Sequence, residues 1–378
     1  RAAATAVESF KEEYPGEFEK TDILIGTDPD ADRCGVVVKV PEDQRFLYDG
    51  RDWLLLPADD MWAAVLWYRL QSELGPSEKV KDAEKKFTVQ SVITSDSLVQ
   101  LARKHGLGVI KTWVGFAGLS NAVRDVWSGE PLPAVVDGRT SPDSLRCHDF
   151  ICQHHGMDNG SRSYNYAAME QSNGFSILGD PPPDGFSLGT GGHVRDKDGA
   201  FAALLIAEIA AYTKENGYSL FELVDRHVYL DPDVGLFVNH YEPDPMDGEY
   251  PGISGDQKKI AILKETLKLH DRALEGQLEI GGRQVVSSCI YRTGKYDALY
   301  PPTDDFEFPD EGVRLDFSED RLSYLIVRPS GTGNSLRFHV QLHAPVIESN
   351  LIEKKAELRA HTQRIIDHVR EIVGARRL

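Results

Sequence analysis

The chain has 378 residues, enough for two or three domains, and its hydrophobic fraction of 41% and charged fraction of 27% are ordinary for a globular protein. The net charge of −18 at pH 7 argues against nucleic acid and anionic membrane surfaces as partners, so an anionic ligand would have to be attracted by local positive charge. The longest apolar runs, such as 201–207, are too short to span a bilayer.

The first informative segment is an acidic loop, Asp28-Pro29-Asp30-Ala31-Asp32-Arg33. It follows the apolar run 22–27, whose composition is typical of a buried parallel strand. Carboxylates at alternate positions of an extended loop would face one side, where their repulsion is costly unless a cation lies among them. All-oxygen, anionic ligation suits Mg²⁺ or Ca²⁺, and ligands of open α/β sheets bind beyond the carboxyl ends of strands. The pattern predicts a metal site at Asp28, Asp30 and Asp32.

Two alternatives apply to this loop. A solvated acidic turn is possible because Asp is common in turns, but the third Asp, the preceding strand and Arg33 make it the less favoured interpretation. An EF-hand loop would need Gly at its sixth position and Glu at its twelfth, and this chain has Arg33 and Lys39 there.

The next segments alternate helix and strand. A helix is predicted to begin at 57–60, where Pro and acidic residues suit a first turn, and to end at Gly75. Residues 76–86, rich in Lys, Glu and Ser, are predicted to be a linker. A βαβ unit follows, with a strand over 89–94, an N-cap at Ser95 or Asp96, a helix over 98–105 and a strand over 109–114.

A zinc site is a further hypothesis for the middle of the chain. Cys147 and Cys152 lie close to His148, His154 and His155, which are suitable donors. The spacing matches no common zinc-finger pattern, so ordinary thiols and loop histidines are the favoured interpretation. Four cysteines in a chain of this length favour a reducing compartment, and therefore a cytoplasmic location.

Two polar segments precede a predicted helix. The loop Glu170-Gln171-Ser172-Asn173-Gly174 could bind sugar hydroxyls, although a plain surface loop is the favoured interpretation by itself, and 189–193 is a second candidate. Lys197 precedes an alanine-rich helix predicted to be buried over 200–212, so it could attract an anion at the helix N-terminus. An N-cap with flanking charges is the alternative.

The last third of the chain begins after a Pro-, Asp- and Gly-rich boundary at 231–255, and it is predicted to contain short strands and a final helix over 350–373. Its segment 328–337, RPSGTGNSLR, combines small residues, hydroxyls and two arginines, which is typical of a phosphate-binding loop. A structural turn would explain Pro-Ser-Gly-Thr but not the flanking arginines in an acidic protein.

These segments, in this order, resemble the motifs of the α-D-phosphohexomutase superfamily, the phosphoglucomutases and phosphomannomutases. The family motifs DPDADR, GEESG, KDG and RPSGTEP correspond to 28–33, 170–174, 197–199 and 328–334. Residues 94–96 and 115–116 are similar to the TSD and GF segments of the family's third domain.

The resemblance implies an α/β fold, with mixed-sheet βαβ-type domains and a C-terminal α+β domain. It implies the remainder of a second domain over 1–86, a third domain over 87–255 and a phosphate-binding domain over 256–378. The implied activity is the interconversion of hexose 1-phosphate and hexose 6-phosphate through a phosphoserine, with Mg²⁺ and a hexose 1,6-bisphosphate intermediate.

The resemblance also assigns roles to individual residues. It implies that Asp28, Asp30 and Asp32 bind Mg²⁺, and that Arg33 stabilises the transferring phosphoryl group. It implies sugar binding by Glu170 and Ser172. The implied phosphate ligands are Arg328, Ser330, Gly331, Thr332 and Lys197.

Several departures from the family pattern accompany the resemblance. Only 27 residues precede Asp28, and their one serine, Ser9, lies in a predicted helix, so no TASHNP-like phosphoserine loop is present. We therefore expect a chain that lacks the family's first domain and has no turnover by itself. The other departures are Gln171 for Glu, Ala117 for Lys, Gly333-Asn334 for Glu-Pro, and insertions over 125–167 and 178–194.

Two rival functions remain open. One is a non-catalytic sugar-phosphate-binding protein, which suits a chain without the serine loop. The other is a Mg²⁺-dependent phosphatase or kinase-like transferase of another α/β fold, in which Asp28 would be the nucleophile rather than a metal ligand.

Overall fold

The computed structural model describes residues 2–75, 79–129, 132, 145–146, 151–157, 160–185, 187–242, 250–304, 306–330 and 335–375. The chain forms two compact units. The first takes the described parts of 1–132, 153–236 and 345–352, and the second takes those of 133–152, 237–344 and 353–378. The division into three domains at 86 and 255 stays a prediction.

Helices and strands alternate through both units. The helices of the described residues are α1 (Ala2–Glu13), α2 (Pro15–Phe18), α3 (Ala58–Ser72), α4 (Asp96–Lys104), α5 (Phe116–Ser128), α6 (Gly199–Glu215), α7 (Leu220–Val224), α8 (Gly252–Leu274) and α9 (Leu351–Ile372). The strands are β1 (Ile23–Thr27), β2 (Cys34–Lys39), β3 (Trp53–Leu55), β4 (Lys86–Ser91), β5 (Gly108–Thr112), β6 (Leu145–Arg146), β7 (Ile151–His155), β8 (Tyr164–Glu170), β9 (Gly174–Ser176), β10 (Leu236–Glu242), β11 (Glu279–Ile280), β12 (Arg283–Gln284), β13 (Ser287–Arg292), β14 (Gly312–Asp316), β15 (Tyr324–Pro329) and β16 (Leu336–Ala344). Short 3₁₀ or π-helical turns occur at Glu42–Tyr48, Ala83–Lys85, Asp225–Tyr229 and Glu348–Asn350.

The first unit begins with a three-stranded antiparallel sheet in the order β1-β2-β3. The expectation of a buried parallel strand at 22–27 is wrong, because β1 pairs antiparallel with β2 and its residues are half-buried or exposed. An apolar run cannot distinguish the two cases, since an antiparallel sheet can leave one face in water. The acidic loop is therefore the connection between two antiparallel strands and does not follow a parallel strand.

The second sheet of this unit has the order β7-β5-β4-β8-β9, with β4 parallel to both β5 and β8. The predicted βαβ unit is confirmed, and the Ser95 hydroxyl caps α4 by accepting the Ser97 N–H at 3.2 Å. Its first strand ends three residues earlier than predicted because 91–94 form a turn. The hydroxyls of Ser91 and Thr94 are 2.8 Å apart, and the Gln90 amide donates to the Thr94 carbonyl oxygen.

Helix α6 is amphipathic in its packing. It was predicted to be buried over 200–212, but one side lies in solvent, where Leu204 is 66% exposed. Its buried face includes Ala202, Ile206 and Ile209, which lie on one side at the spacing of a helix. Alanine content alone did not distinguish a half-buried helix from a fully buried one.

The second unit contains a six-stranded sheet in the order β10-β16-β15-β14-β13-β6. Strands β13 to β16 pair antiparallel in succession, whereas β6 pairs parallel with β13, and α8 packs on β13 and β14. The predicted final helix is confirmed as α9. The expected α/β class with mixed sheets is confirmed as well. Among the described helices, none combines the length and hydropathy needed to cross a bilayer.

Candidate functional site

The acidic loop gathers its three carboxylates on one side. Ligand oxygens of Asp28, Asp30 and Asp32 all lie within 4.8 Å of one another, and within the described residues no other group of three carboxylate, His or Cys ligands does so. The loop is a turn rather than an extended segment, because the Ala31 N–H donates to the Asp28 carbonyl oxygen at 3.0 Å and Ala31 has φ +55°. The three carboxylates therefore converge as expected, but a tight turn brings them together and not alternation in an extended segment.

Positive charge surrounds these carboxylates. The Arg33 backbone N–H donates to Asp28 Oδ1 at 3.0 Å, and this bond is the main reason that the pKa of Asp28 is lowered. The Arg33 Nε atom lies 3.8 Å from Asp28 Oδ2 and 3.7 Å from Asp32 Oδ1. These contacts favour the ionised Asp28 that a metal ligand requires.

Lys197 is the second cation at the loop. Its Nζ atom lies 2.9 Å from Asp32 Oδ2 and 3.1 Å from Asp196 Oδ1. Burial acts to lower the pKa of Lys197, but hydrogen bonds to Asp32 and Asp196 outweigh it, so the pKa is raised. The sequence predicts an anion ligand here, and the structure places the ammonium group on a predicted metal ligand.

The start of α6 fixes Lys197 beside the loop. The Asp198 side chain caps α6 by accepting the Phe201 N–H at 2.8 Å, and the Gly199 N–H donates to the Ala31 carbonyl oxygen at 3.0 Å. A Cβ atom at Gly199 would lie 2.4 Å from the Arg33 carbonyl oxygen. The helix can approach the acidic loop this closely only with glycine at that position.

The predicted sugar loop is anchored through Glu170. Its carboxylate accepts the Gly115 N–H at 2.8 Å with one oxygen and the Ser172 hydroxyl at 2.7 Å with the other. Its backbone carbonyl oxygen accepts the Trp62 indole N–H at 2.9 Å. Glu170 is buried, whereas Ser172 is half-buried and lies next to it.

The sugar loop also joins the acidic loop. Arg33 and Gly174 form an isolated antiparallel bridge, and the Asn173 side-chain amide donates to the Cys34 carbonyl oxygen at 2.9 Å. The Thr94 hydroxyl accepts the Gln171 N–H at 3.1 Å. Five segments, 28–33, 94–96, 115–116, 170–174 and 197–199, therefore lie together within the first unit.

The predicted insertion 178–194 forms a loop with closed ends. The His193 N–H donates to the Ile177 carbonyl oxygen at 2.7 Å, and the Asp180 N–H donates to that of Thr190 at 3.1 Å. This closure returns the chain to β9 and explains how the sugar loop and Lys197 can be neighbours.

His193 is a residue of this region to which the sequence assigned no role of its own. Its Nδ1 atom contacts the Asp198 carboxylate, and its ring stacks on Phe201 with centroids 4.2 Å apart. His193 ends the second candidate sugar loop, 189–193, and lies four residues before Lys197, and these are the signals in the sequence that could have identified it.

The predicted phosphate loop lies in the second unit. Arg328 on β15 and Arg337 on β16 are direct cross-strand partners, and the Ser330 N–H donates to the Ser335 carbonyl oxygen at 2.8 Å. Gly331 and Thr332 lie outside the described residues. Residues directly opposite in an antiparallel pair share a face, so an anion near the loop could interact with both arginines. Arg337 belongs to the predicted segment but not to the predicted ligand set.

Glycine is required beside Arg328. Gly312 begins β14 with φ +107°, and a Cβ atom there would lie 2.6 Å from Arg328 Cβ. The sheet therefore packs closely against the backbone of Arg328, which limits the positions its side chain can take.

The zinc hypothesis stays a prediction. Cys147 and the side chain of Cys152 lie outside the described residues. His154 is buried, and the pKa of His155 is lowered to about 4, mainly by burial and also by Lys111.

No family model matches the chain. A phosphoglucomutase of Staphylococcus haemolyticus is 23% identical over 331 residues, which cover 87% of this chain and 46% of the relative. One of Staphylococcus aureus is 24% identical over 326 residues, covering 86% and 45%. The crystal structure of parafusin, a phosphoglucomutase of Paramecium, has a TM-score of 0.51 at 17% identity, covering 94% of this chain and 47% of that one.

The chain spans about half the length of the curated relatives it matches. The structural similarity to parafusin shows a shared fold. The relatives found by sequence are phosphoglucomutases, and the similarity to them covers most of this chain. Together with the four ordered motifs, these relatives lead to one result: over most of its length, the chain resembles the α-D-phosphohexomutase superfamily.

Proposed function

We propose that this chain provides the metal-binding, sugar-binding and phosphate-binding parts of a phosphohexomutase. The reaction is the interconversion of hexose 1-phosphate and hexose 6-phosphate through a phosphoserine and a hexose 1,6-bisphosphate. The observation that carries the proposal is the assembly of the acidic loop, Lys197 and the 170–174 loop within one unit.

The donor set of the acidic loop fits a hard divalent cation. Asp28, Asp30 and Asp32 offer three carboxylate oxygens within 4.8 Å, and oxygen ligands of this kind suit Mg²⁺. Bound there, Mg²⁺ would neutralise charge on a transferring phosphoryl group. The Arg33 side chain is 52% exposed, so its guanidinium group is free to turn toward the same phosphoryl oxygens.

The sugar contacts in this proposal come from Glu170 and Ser172. The Gly115 N–H donates to the Glu170 carboxylate, which orients it as an acceptor for sugar hydroxyls. The Ser172 hydroxyl, now bonded to Glu170, can exchange this partner for a substrate hydroxyl. Positioning of this kind supplies much of the catalysis in phosphoryl transfer.

The phosphate group that does not react would bind in the second unit. Arg328 and Ser330 are the described members of the predicted ligand set there, and Gly331 and Thr332 complete it. Arg337 adds a second guanidinium group from the paired strand. Lys197 is proposed as a phosphate ligand within the first unit.

The proposed reaction uses the serine of a TASHNP-like loop as its nucleophile. No TASHNP-like loop occurs in the 378 residues, so we expect the chain by itself to bind hexose phosphates without interconverting them. A sugar-phosphate-binding protein without turnover is the second candidate.

One set of measurements separates these functions. The purified chain is titrated with glucose 6-phosphate and glucose 1-phosphate in MgCl₂, and reaction mixtures are followed by ³¹P NMR. Binding that is weakened by both Asp30→Asn and Arg328→Ala supports the proposal, whereas binding unaffected by both overturns it. Interconversion by the chain itself would refute the expected need for a separate serine, and release of inorganic phosphate would favour Asp28 as a nucleophile.

A further inference from the structure

The ammonium group of Lys197 contacts Asp32, a carboxylate that is expected to bind the metal. Its Nζ atom is 2.9 Å from Asp32 Oδ2, and its side chain is only 14% exposed. The other oxygen of the same carboxylate, Oδ1, faces Arg33 Nε at 3.7 Å. Both oxygens of Asp32 therefore face a cation of the chain itself.

The Lys197 side chain is held in this position by its surroundings. A Cβ atom at Gly174 would lie 2.7 Å from Lys197 Cδ, so glycine makes room for the aliphatic stem. The Nζ atom lies 5.6 Å from the centroid of the Phe116 ring, within reach of a cation–π interaction. The contact with Asp32 is thus built by three separate segments and is not a chance surface pair.

A divalent cation among the three carboxylates would lie within a few ångströms of this ammonium group. Like charges at such distances repel strongly at the edge of a protein, where water screens them only in part. Lys197 must then move away or weaken metal binding. Asp196, 3.1 Å from the same Nζ atom and mostly exposed, offers it a second partner outside the loop.

We propose that Lys197 is a built-in competitor for the divalent cation at Asp32, and that its displacement makes its ammonium group available to a phosphate anion. Metal and phosphate then bind cooperatively, because each favours the state in which Lys197 has left Asp32. The inference rests on the metal site of the proposed function and adds a coupling between that site and the anion.

Calorimetry with Mg²⁺ and Mn²⁺ tests the competition. Lys197→Met keeps the length of the stem and removes the charge, so the metal affinity is expected to rise about tenfold. Lys214→Met is the matched control, because Lys214 lies on α6, the helix that Lys197 precedes, and pairs with Asp22 at 2.6 Å, but is 70% exposed and distant in sequence from the loop. Its metal affinity is expected to equal that of the unmodified chain.

Binding of inorganic phosphate tests whether the metal releases Lys197 from Asp32. Metal at saturation is expected to increase the phosphate affinity of the unmodified chain several-fold more than that of Lys197→Met. An equal increase in both would overturn the release of Lys197, since direct contact between metal and phosphate would then account for all of the coupling.

The remaining outcomes distinguish this inference from the proposed function. Metal binding of equal or lower affinity in Lys197→Met overturns the competition and leaves the metal site intact. Absence of metal binding in every variant, each shown to be folded by circular dichroism, overturns the metal site and the inference together.

Discussion

The N–H of Gly199 donates to the carbonyl oxygen of Ala31 at 3.0 Å, which joins the first turn of α6 to the acidic loop. A methyl group at Gly199 would lie 2.4 Å from the Arg33 carbonyl oxygen, an atom that cannot move without changing the loop. This contact sets the distance between Lys197 and the three carboxylates.

Gly199→Ala is expected to lower the free energy of unfolding by about 1–3 kcal/mol, because the added methyl overpacks a backbone contact. It should also weaken Mg²⁺ binding, since the loop must shift. Urea unfolding and calorimetry measure the two effects. Gly26→Ala is the control, because nothing lies within 4 Å of a Cβ atom there. Equal stability of the two variants would show that the contact is not tight in solution.

Asp30→Asn is expected to lower the Mg²⁺ affinity at least about tenfold, because one of three anionic ligands becomes neutral. Calorimetry on the purified chain measures the loss. Asp22→Asn removes a charge just before β1, outside the cluster, and should leave the affinity nearly unchanged. A similar loss in both variants would assign the effect to net charge rather than ligation.

Arg328→Ala is expected to reduce the affinity for glucose 6-phosphate by about 1.5–3 kcal/mol, the value of a charge-assisted hydrogen bond. Arg272→Ala, on the exposed side of α8, controls for the loss of one positive charge. Gly312→Ala should reproduce part of the loss, since its methyl group would displace Arg328. Unchanged affinity in Arg328→Ala would show that the segment is a structural turn.

Two histidines of α9 hold the turn between β11 and β12. The Gly281 N–H donates to His368 Nδ1 at 2.9 Å, and the Arg283 Nε–H donates to His361 Nδ1 at 3.4 Å. His361 Nε2 in turn donates to the Gly281 carbonyl oxygen at 2.9 Å. An imidazole nitrogen accepts a hydrogen bond only when it carries no proton, so both rings must be neutral for these bonds to form.

Acid is therefore expected to weaken this contact. Burial lowers the pKa of His361, and Arg283 lowers it further, which outweighs the opposing effect of the hydrogen bond to the Gly281 carbonyl oxygen. A folded-state pKa below the unfolded value of about 6.5 gives a stabilisation that is complete above that pH and is lost as the pH falls below it. Urea unfolding should show a loss of stability between pH 7 and pH 5, because a protonated His361 cannot accept the Arg283 Nε–H. His361→Gln should reduce this loss, and an unchanged pH dependence would contradict the expectation.

Local signals in the sequence were sufficient for much of the fold. The cap at Ser95, the βαβ unit and the final helix follow from residues that act on their own neighbourhood. The burial and pairing of β1 did not follow, because they depend on which strand lies beside it. The exposed face of α6 was not predictable for the same reason, because it depends on which other elements pack against the helix.

The candidate site shows the same division. The acidic loop was predictable because its three carboxylates lie within five residues, so one turn brings them together. The contacts of Glu170 with Gly115 and of Lys197 with Asp32 were not predictable, because only the tertiary fold brings those segments together. The order of the motifs indicates which segments lie together, but it does not predict which atoms are in contact.

A buried ion pair provides the last prediction. Lys111 on β5 is 2% exposed, and its Nζ atom lies 2.5 Å from Asp96 Oδ1 at the start of α4. Lys111→Met leaves the Asp96 carboxylate without its ammonium partner and is expected to cost about 3–5 kcal/mol of unfolding free energy. Lys111→Met combined with Asp96→Leu should recover much of this loss, since apolar replacements avoid the desolvation of both charges.

The pKa of His155 gives a second test of the Lys111–Asp96 pair, and this test does not depend on the free energy of unfolding. Its pKa is lowered to about 4, mainly by burial, then by Lys111 and Arg103, whereas Asp96 acts to raise it. Removal of the lysine charge alone should therefore raise the pKa of His155, and removal of both charges should move it by less, because the two effects oppose each other. NMR titration of the His155 ring protons measures both shifts. A His155 pKa that does not change in Lys111→Met would show that Lys111 and His155 are farther apart in solution. Recovery of stability in the double variant tests the Lys111–Asp96 pair itself.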